Sequence, residues 1–241
     1  MKRAVIIGAS SGLGREVTRL LLDRGYTMGI AARRIEPLEQ IKAMAPERVV
    51  VRSLDVTRDD APQALYSLID ELGGMDLFFY ASGVGKQNME LNADIELNTV
   101  NTNAMGFTRM IGAAFRYMAQ HGGGHIAAIS SIAGTKGLGA APSYSATKAM
   151  QNTYLQALEQ QAAMRRLAIT FTDLRPGFVA TPLLGDHPTY PMLLNTERVA
   201  REMVRAVEHR RHVWVIDWRW RIATALWRRI PRWLWRRLNV K

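Results

Sequence analysis

The sequence predicts an α/β domain with an open, doubly wound parallel sheet of about seven strands and helices on both faces, followed by an amphipathic helical tail. Three observations carry that expectation. Short apolar, partly β-branched runs alternate with helical stretches through short connections as far as residue 217. A glycine-rich turn follows the first run and opens the first helix. Every loop rich in chemically versatile residues follows a strand, at the edge where open parallel sheets bind ligands.

The elements follow in order. Ala4–Gly8 reads as a buried strand, Gly8-Ala9-Ser10-Ser11-Gly12-Leu13-Gly14-Arg15 as a turn, and the stretch to Arg24 as an amphipathic helix. Glycines allow a tight turn and close approach of a pyrophosphate, whose charge meets free amides at the helix N-terminus. Then come a strand at 27–32 running into Arg33-Arg34, a helix at 37–43, a strand at 48–54 ending at Asp55-Val56, and a helix at 61–72. The strand 77–80 ends in Ala81-Ser82-Gly83, and one long helix is expected from Ile95 to Gln120, crossing Asn101, Asn103 and Gly106. The strand 125–130 leads into Ser131, a helix covers 143–165, and the strand 168–174 ends at Arg175-Pro176-Gly177. A helix at 196–208 and a strand at 212–216 complete the domain, 1–217, leaving 218–241 as the tail.

Composition limits the function classes. The 241 residues suffice for one large domain, and nearly half are apolar. There is no cysteine, hence no disulfide framework or thiolate metal site, which suits a reducing, cytoplasmic compartment. None of the five histidines makes a metal pattern: His121 and His125 flank three glycines and share no helix face. No metal is expected. No run reaches the roughly 20 apolar residues of a membrane span. The formal charge of +11 is concentrated in residues 201–241, which carry twelve Lys/Arg against three Asp/Glu; the rest is nearly neutral.

The chemistry centres on Tyr144 and Lys148, one helical turn apart, with Ser131 thirteen residues before the tyrosine. A neighbouring ammonium favours the phenolate, so the tyrosine pKa is expected to fall toward a range useful for acid–base work. The glycine turn, Asp55, Ala81-Ser82-Gly83, Asn103-x-x-Gly106, Ser131, Tyr144-x-x-x-Lys148 and Pro176-Gly177 with Thr181 together resemble the short-chain dehydrogenase/reductase family over about residues 1–216.

That resemblance implies a Rossmann-like domain passing hydride between a nicotinamide and a small-molecule alcohol or carbonyl. Tyr144 would donate the proton in reduction and Ser131 a hydrogen bond to the carbonyl oxygen. Lys148 would hold the nicotinamide ribose and lower the tyrosine pKa, and Asn103 would carry a water linking Lys148 to solvent. Gly8, Ser10, Ser11, Gly12, Leu13 and Gly14 would cradle the pyrophosphate. Asp55 and Val56 would contact adenine, Ala81, Ser82 and Gly83 would pass beneath the cofactor, and Thr181, after Pro176 and Gly177, would take the carboxamide. The family's usual Asn-Asn-Ala-Gly is here Tyr80-Ala81-Ser82-Gly83, which removes an amide that braces the sheet. Resemblance also implies a homodimer or homotetramer.

Cofactor choice follows from charge. The second strand ends in Arg33-Arg34 with no acid, and Arg15 follows the glycine turn, so NADP(H) is expected over NAD(H). The segment Pro182–Leu194, rich in Leu, Met and Tyr, suits a lid over a lipophilic ketone or aldehyde, although its leucines could equally pack on the core.

All six tryptophans lie beyond residue 213. At 100° per residue Ile222, Ala223, Leu226, Trp227, Ile230, Trp233, Leu234 and Leu238 share one half of the tail, with Arg221, Arg228, Arg229, Arg232 and Arg236 opposite, while Arg219, Arg237 and Trp235 break the pattern. An interfacial helix on anionic lipid has this pattern, and so does a helix covering its own core or a sister subunit. Nucleic-acid binding is the least supported reading, for want of a recognised module. Two functions stand against each other: an NADP(H)-dependent oxidoreductase, and a membrane-associated dinucleotide-binding protein whose turnover is incidental.

Overall fold

The computed structural model describes residues 2–184 and 190–240. Seven parallel strands, β1 (Arg3–Ile7), β2 (Thr27–Ala32), β3 (Val49–Ser53), β4 (Leu77–Tyr80), β5 (Gly124–Ile129), β6 (Ile169–Arg175) and β7 (Val213–Val215), form one sheet in the order β3-β2-β1-β4-β5-β6-β7. Side chains alternate between two cores. Ala4 and Ile6 of β1 join Val17 and Leu21 of α1 (Gly12–Asp23), Leu38 of α2 (Glu36–Met44) and Met203 of α7 (Thr196–Glu208). Val5 and Ile7 face Leu65 of α3 (Ala61–Leu72), Phe107 of α5 (Phe107–Gln120) and Leu155 of α6 (Pro142–Met164). Both faces of the sheet are therefore covered, as a parallel sheet of continuous apolar strands requires.

The chain order reverses between β1 and β4, opening a crevice at the carboxyl ends of the strands. Backbone contact closes its floor. The Ala81 amide donates to the Ile7 carbonyl at 2.8 Å, and a Cβ at Gly8 would lie 2.6 Å from the Ser82 nitrogen. Gly8 has φ +92°, a second reason for glycine there. Tyr80, at the position of the missing amide, is buried and packs edge-to-face on Phe107 with centroids 5.1 Å apart. Aromatic packing thus occupies the place of a polar brace.

The single helix expected over 95–120 is three pieces. α4 (Ala93–Val100) and α5 are joined through a π-helical stretch, Asn101–Gly106. The cause is local packing. Gly106 brings the helix so close to Val56 that a Cβ would lie 2.8 Å from Val56 Cγ2, and the wider turn carries Asn103 inward, fully buried, while Asn101 stays half-buried. The other strand and helix ends fall within two residues of expectation, as fraying ends do.

The tail forms α8 (Trp218–Arg229) and α9 (Arg232–Trp235), separated at Pro231. Asp217 caps α8 by accepting from the Arg219 amide at 2.9 Å. The inward stripe is Trp220, Thr224 and Trp227, which differs from the expected half-cylinder: Ile222, Leu226, Trp233, Leu234 and Leu238 of that face are exposed. The indoles decide this. Trp220 is 1% exposed, sits where any Cβ at Gly177 would collide with it, and meets Phe178 and Trp227 edge-to-face at 5.7 and 6.0 Å. Two polar contacts fasten the rest, Lys136 Nζ to the Ile230 carbonyl at 2.9 Å and Trp235 Nε1 to the Gly137 carbonyl at 2.8 Å.

Truncating such an anchor leaves a large cavity under α8. Trp220→Ala should lower unfolding free energy by about 3–5 kcal/mol in urea titration. A cost below about 1 kcal/mol would mean that α8 is not docked through this ring.

Candidate active site

A chamber of about 970 Å³ opens at the carboxyl edge of the sheet. At one end Gly12, Leu13 and Gly14 present the N-terminus of α1, whose first turn holds no acid and whose cap residue, Ser11, makes no side-chain hydrogen bond to it. The helix dipole and free amides of such an end suit a phosphate. A Cβ at Gly14 would collide with the Gly8 carbonyl oxygen, so the turn can close only with glycine. Thr181 faces this turn, 3.5 Å from where a Gly12 Cβ would lie.

Arg33 and Arg34 line the chamber where β2 ends, both exposed. Arg15 is exposed on α1 and is not part of the lining. Asp55 and Val56 lie beside them. Burial would raise the Asp55 carboxyl, but hydrogen bonds from the amide and hydroxyl of Thr57 and the charge of Arg33 bring it below its ordinary value. With a cradle that only glycine fits, an uncapped helix end and two guanidinium groups, the residues fit a phosphorylated dinucleotide.

The other wall is built by β5, β6 and α6. Pro142 starts α6, and Ser143–Met164 continue it without a helix breaker, setting Tyr144 and Lys148 one turn apart. The Lys148 ammonium lies 5.7 Å from the Tyr144 ring centroid. Ser131, after β5, accepts from the Ala133 amide at 3.1 Å, which fixes its side chain at the start of a short turn. Ser131, Tyr144, Lys148, Pro176 and Gly177 all border the one chamber.

The tyrosine pKa differs from expectation. Burial raises the Tyr144 phenol above its ordinary value, and hydrogen bonding with Ser131 only partly opposes this. The cation expected to lower it has itself lost basicity: burial takes Lys148 down to about 8, against a smaller opposing effect of the Asp173 charge. Desolvation is the largest influence on both groups.

Asn103 is brought to the site as a clamp. Its Oδ1 accepts from the Val84 amide at 2.9 Å, and its Nδ2 donates to the Val84 carbonyl at 2.6 Å. That fixes the segment leaving Gly83, where a Cβ would lie 3.3 Å from Asn103 Oδ1 and 3.8 Å from Lys148 Nζ. Two residues further on, Gly85 makes room for the Tyr144 ring, which a Cβ would approach to 2.7 Å. Gln151 connects the two residues directly: its Oε1 accepts from Lys148 Nζ and its Nε2 donates to the Asn103 main-chain carbonyl. Sequence reasoning missed Val84, Gly85 and Gln151; for Gln151 the signal was its spacing, three residues after Lys148 on the same helix face.

The lid expectation divides. Leu183, Leu184 and Tyr190 border the chamber, whereas Leu194 is buried and bridges to Val179; Gly185–Thr189 lie outside the described residues. Tyr190 stacks on Phe178 at 4.6 Å, and Trp220 and Trp227 of α8 extend this aromatic wall. The two histidines set aside above have other contacts. His125 bonds Thr172 Oγ1 at 2.8 Å, and His121 contacts the Tyr117 carbonyl at 2.7 Å.

Comparison with known proteins agrees with this architecture. The family model described as short chain dehydrogenase matches residues 2–189. The chain belongs to that family of oxidoreductases, whose members use nicotinamide dinucleotides. An uncharacterised oxidoreductase of Mycobacterium tuberculosis is 29% identical over 216 residues, covering 86% of this chain and 85% of the relative. Among solved structures, an alcohol dehydrogenase from Thermococcus sibiricus complexed with 5-hydroxy-NADP superposes with a TM-score of 0.78 at 24% identity, covering 90% of this chain and 96% of that one. A 3-ketoacyl-(acyl-carrier-protein) reductase from Brucella melitensis complexed with NADH gives 0.79 at 20% identity, covering 90% and 96%. At those identities the likeness is one of fold.

Proposed function

We propose that the chain is an NADP(H)-dependent reductase or dehydrogenase acting on a lipophilic ketone or aldehyde and its alcohol. The observation that carries this is the meeting of Ser131, Tyr144 and Lys148 on one wall of the chamber whose far end is the glycine turn and Arg33. Gly8, Ser10, Ser11, Gly12, Leu13 and Gly14 would hold the pyrophosphate, Arg33 and Arg34 the additional phosphate, Asp55 and Val56 the adenine, and Lys148, Pro176, Gly177 and Thr181 the nicotinamide half, over Ala81, Ser82 and Gly83.

When held by these residues, NADPH would supply hydride to the carbonyl carbon. Charge then develops on the carbonyl oxygen, and Ser131 is the hydroxyl available to donate to it. Tyr144 gives its phenolic proton to the same oxygen, completing the alcohol, and the resulting phenolate is stabilised by the Lys148 ammonium. A raised tyrosine pKa suits this direction, because the phenol is still protonated at neutral pH. The aromatic wall of Phe178, Tyr190, Trp220 and Trp227 favours an apolar substrate body.

Two surfaces support further parts of the reading. Leu97, Val100 and Met105 are exposed along α4 and the π-helical stretch, a face that a second copy of the chain would cover. On the tail, Trp218, Ile222, Leu226 and Trp233 are exposed among Arg228, Arg229, Arg232, Arg236 and Arg237, with no acid after Asp217. Because the inward stripe is already used, this outer surface is free for peripheral contact with an anionic membrane. Among the described residues no helix is long and apolar enough to cross one.

NADPH oxidation with a panel of lipophilic ketones and aldehydes should reveal turnover, and Tyr144→Phe should cut it by roughly 10²–10⁴-fold while leaving NADPH binding intact. No carbonyl-dependent oxidation in either protein would refute the enzyme and favour a dinucleotide-occupancy role. Arg33→Glu should weaken NADPH binding about tenfold or more and NADH binding little, from the loss of a charge-assisted phosphate contact; equal losses in fluorescence titrations would remove Arg33 from the phosphate site. The full chain should co-sediment with phosphatidylglycerol vesicles, weakly with phosphatidylcholine, and lose binding in an Ile222→Glu/Leu226→Glu variant, whose changes are confined to exposed positions. Failure of the unaltered chain to sediment with anionic vesicles would overturn the membrane reading.

A further inference from the structure

Gln151 is fully buried on α6, yet a glutamine side chain brings four hydrogen-bonding sites into the core. Both ends of its amide are engaged. Nε2 donates to the Asn103 main-chain carbonyl at 2.7 Å, and Oε1 accepts from Lys148 Nζ at 3.0 Å. The orientation is forced, because a carbonyl only accepts and an ammonium only donates. A second acceptor, the Ile129 carbonyl, lies 3.1 Å from the same ammonium.

These contacts join elements that sequence does not connect. The π-helical stretch turns the Asn103 carbonyl to a side-chain donor on α6, while the Asn103 amide clamps Val84 at the chamber edge. Lys148 is thus held from behind by a neutral dipole with its oxygen toward the ammonium. An oxygen acceptor favours the charged form of the amine, opposing the desolvation that drives Lys148 down. The amide thereby bridges the Lys148 ammonium and the Asn103 main-chain carbonyl.

We propose that Gln151 is a positioning residue for the acid–base centre: its amide, anchored on the Asn103 carbonyl, holds Lys148 in place and in its charged state. The proposal rests on the reading of Tyr144 and Lys148 as that centre. The ionisable groups around Lys148 are few. α6 contributes Tyr144, and β6 contributes Asp173, itself held by two contacts from Arg175 at 2.8 and 2.6 Å and by the Ser130 hydroxyl. β5 and the turn after it offer the Ile129 carbonyl and the hydroxyls of Ser130 and Ser131, and the π-helical stretch offers Asn103. Gln151 is the neutral member whose replacement changes the balance in a chosen direction.

The chain has six lysines, so lysine ¹³Cε NMR of the full-length protein can follow Lys148 through a pH titration, with Lys148→Arg assigning its signal. No substrate or cofactor is needed, so the outcome is independent of whether a reducible carbonyl is ever found. Gln151→Met keeps length and removes the acceptor; Lys148 should then titrate lower than in the unaltered protein. Gln151→Glu places a carboxylate against the ammonium and should move the titration up by about one pH unit or more. A merely space-filling glutamine would leave the midpoint unchanged in the methionine variant, and that result would overturn the proposal, as would a shift of both variants in the same direction. Should the methionine variant fail to fold, the glutamate variant decides alone: an unmoved or lowered midpoint refutes the role.

Discussion

The constraint on which the site depends is the burial of one ammonium group. Lys148 is 4% exposed, and a fall in pKa from 10.5 to about 8 corresponds to a penalty on the order of 3 kcal/mol on its charged form. Two acceptors and one charge, supplied from three directions, favour the charged form against that penalty. The Ile129 carbonyl comes from the end of β5, the Gln151 oxygen from the next turn of α6, and the longer-range charge of Asp173 from β6. Each depends on another feature: Gln151 on the displaced Asn103 carbonyl, Asp173 on Arg175 and Ser130. Irregularity at Asn101–Gly106 is therefore part of the support for the charge.

A second constraint is backbone proximity at the switch between β1 and β4. Gly8 and Gly14 allow the turn to close on itself and on Ser82, and this same approach leaves the amide end of α1 facing the chamber. Glycine recurs on the opposite wall for a related reason. Gly85 admits the Tyr144 ring, Gly106 admits Val56, and Gly177 admits the Trp220 indole. The glycine turn and the Tyr144 wall are thereby pressed together around one volume, with the Asn103 clamp on Val84 beside them.

The parts legible in the sequence were those with short-range signatures. Strand runs, the glycine turn, and the spacing of Ser131, Tyr144 and Lys148 are all contained within windows of a few to twenty residues, and the structure brings them to one edge. What could not be read depends on distant partners. Gln151 looks like an ordinary polar helix residue until Asn103, 48 positions away, is folded against it. The fall expected in the Tyr144 pKa counted its cationic neighbour and omitted desolvation, a quantity that exists only once the chain is packed. Helical periodicity through Asn103 was similarly blind to the pressure of Val56 on Gly106.

The tail shows why an amphipathic pattern underdetermines its partner. A helix with tryptophan or leucine at most turns has more than one apolar stripe, and projection alone cannot say which one the fold will take. Trp220 and Trp227 win the inward position because their rings continue the aromatic row from Tyr190 through Phe178 and on to Trp235, with centroid separations between 4.6 and 6.0 Å. Aromatic contact of this kind adds about 0.5–1.5 kcal/mol per pair beyond the area buried, an increment that aliphatic Ile222 or Leu226 would not supply in the same place. Some of the cations are also committed: Arg221 lies 3.9 Å from the Trp214 ring centroid and donates to the Val215 carbonyl at 2.8 Å. The exposed remainder, leucine and tryptophan among arginines beyond Arg221, is thus a second surface on the same helices. Because Trp220 and Trp227 also border the chamber, anything that binds that outer surface rests one helix thickness from the chamber.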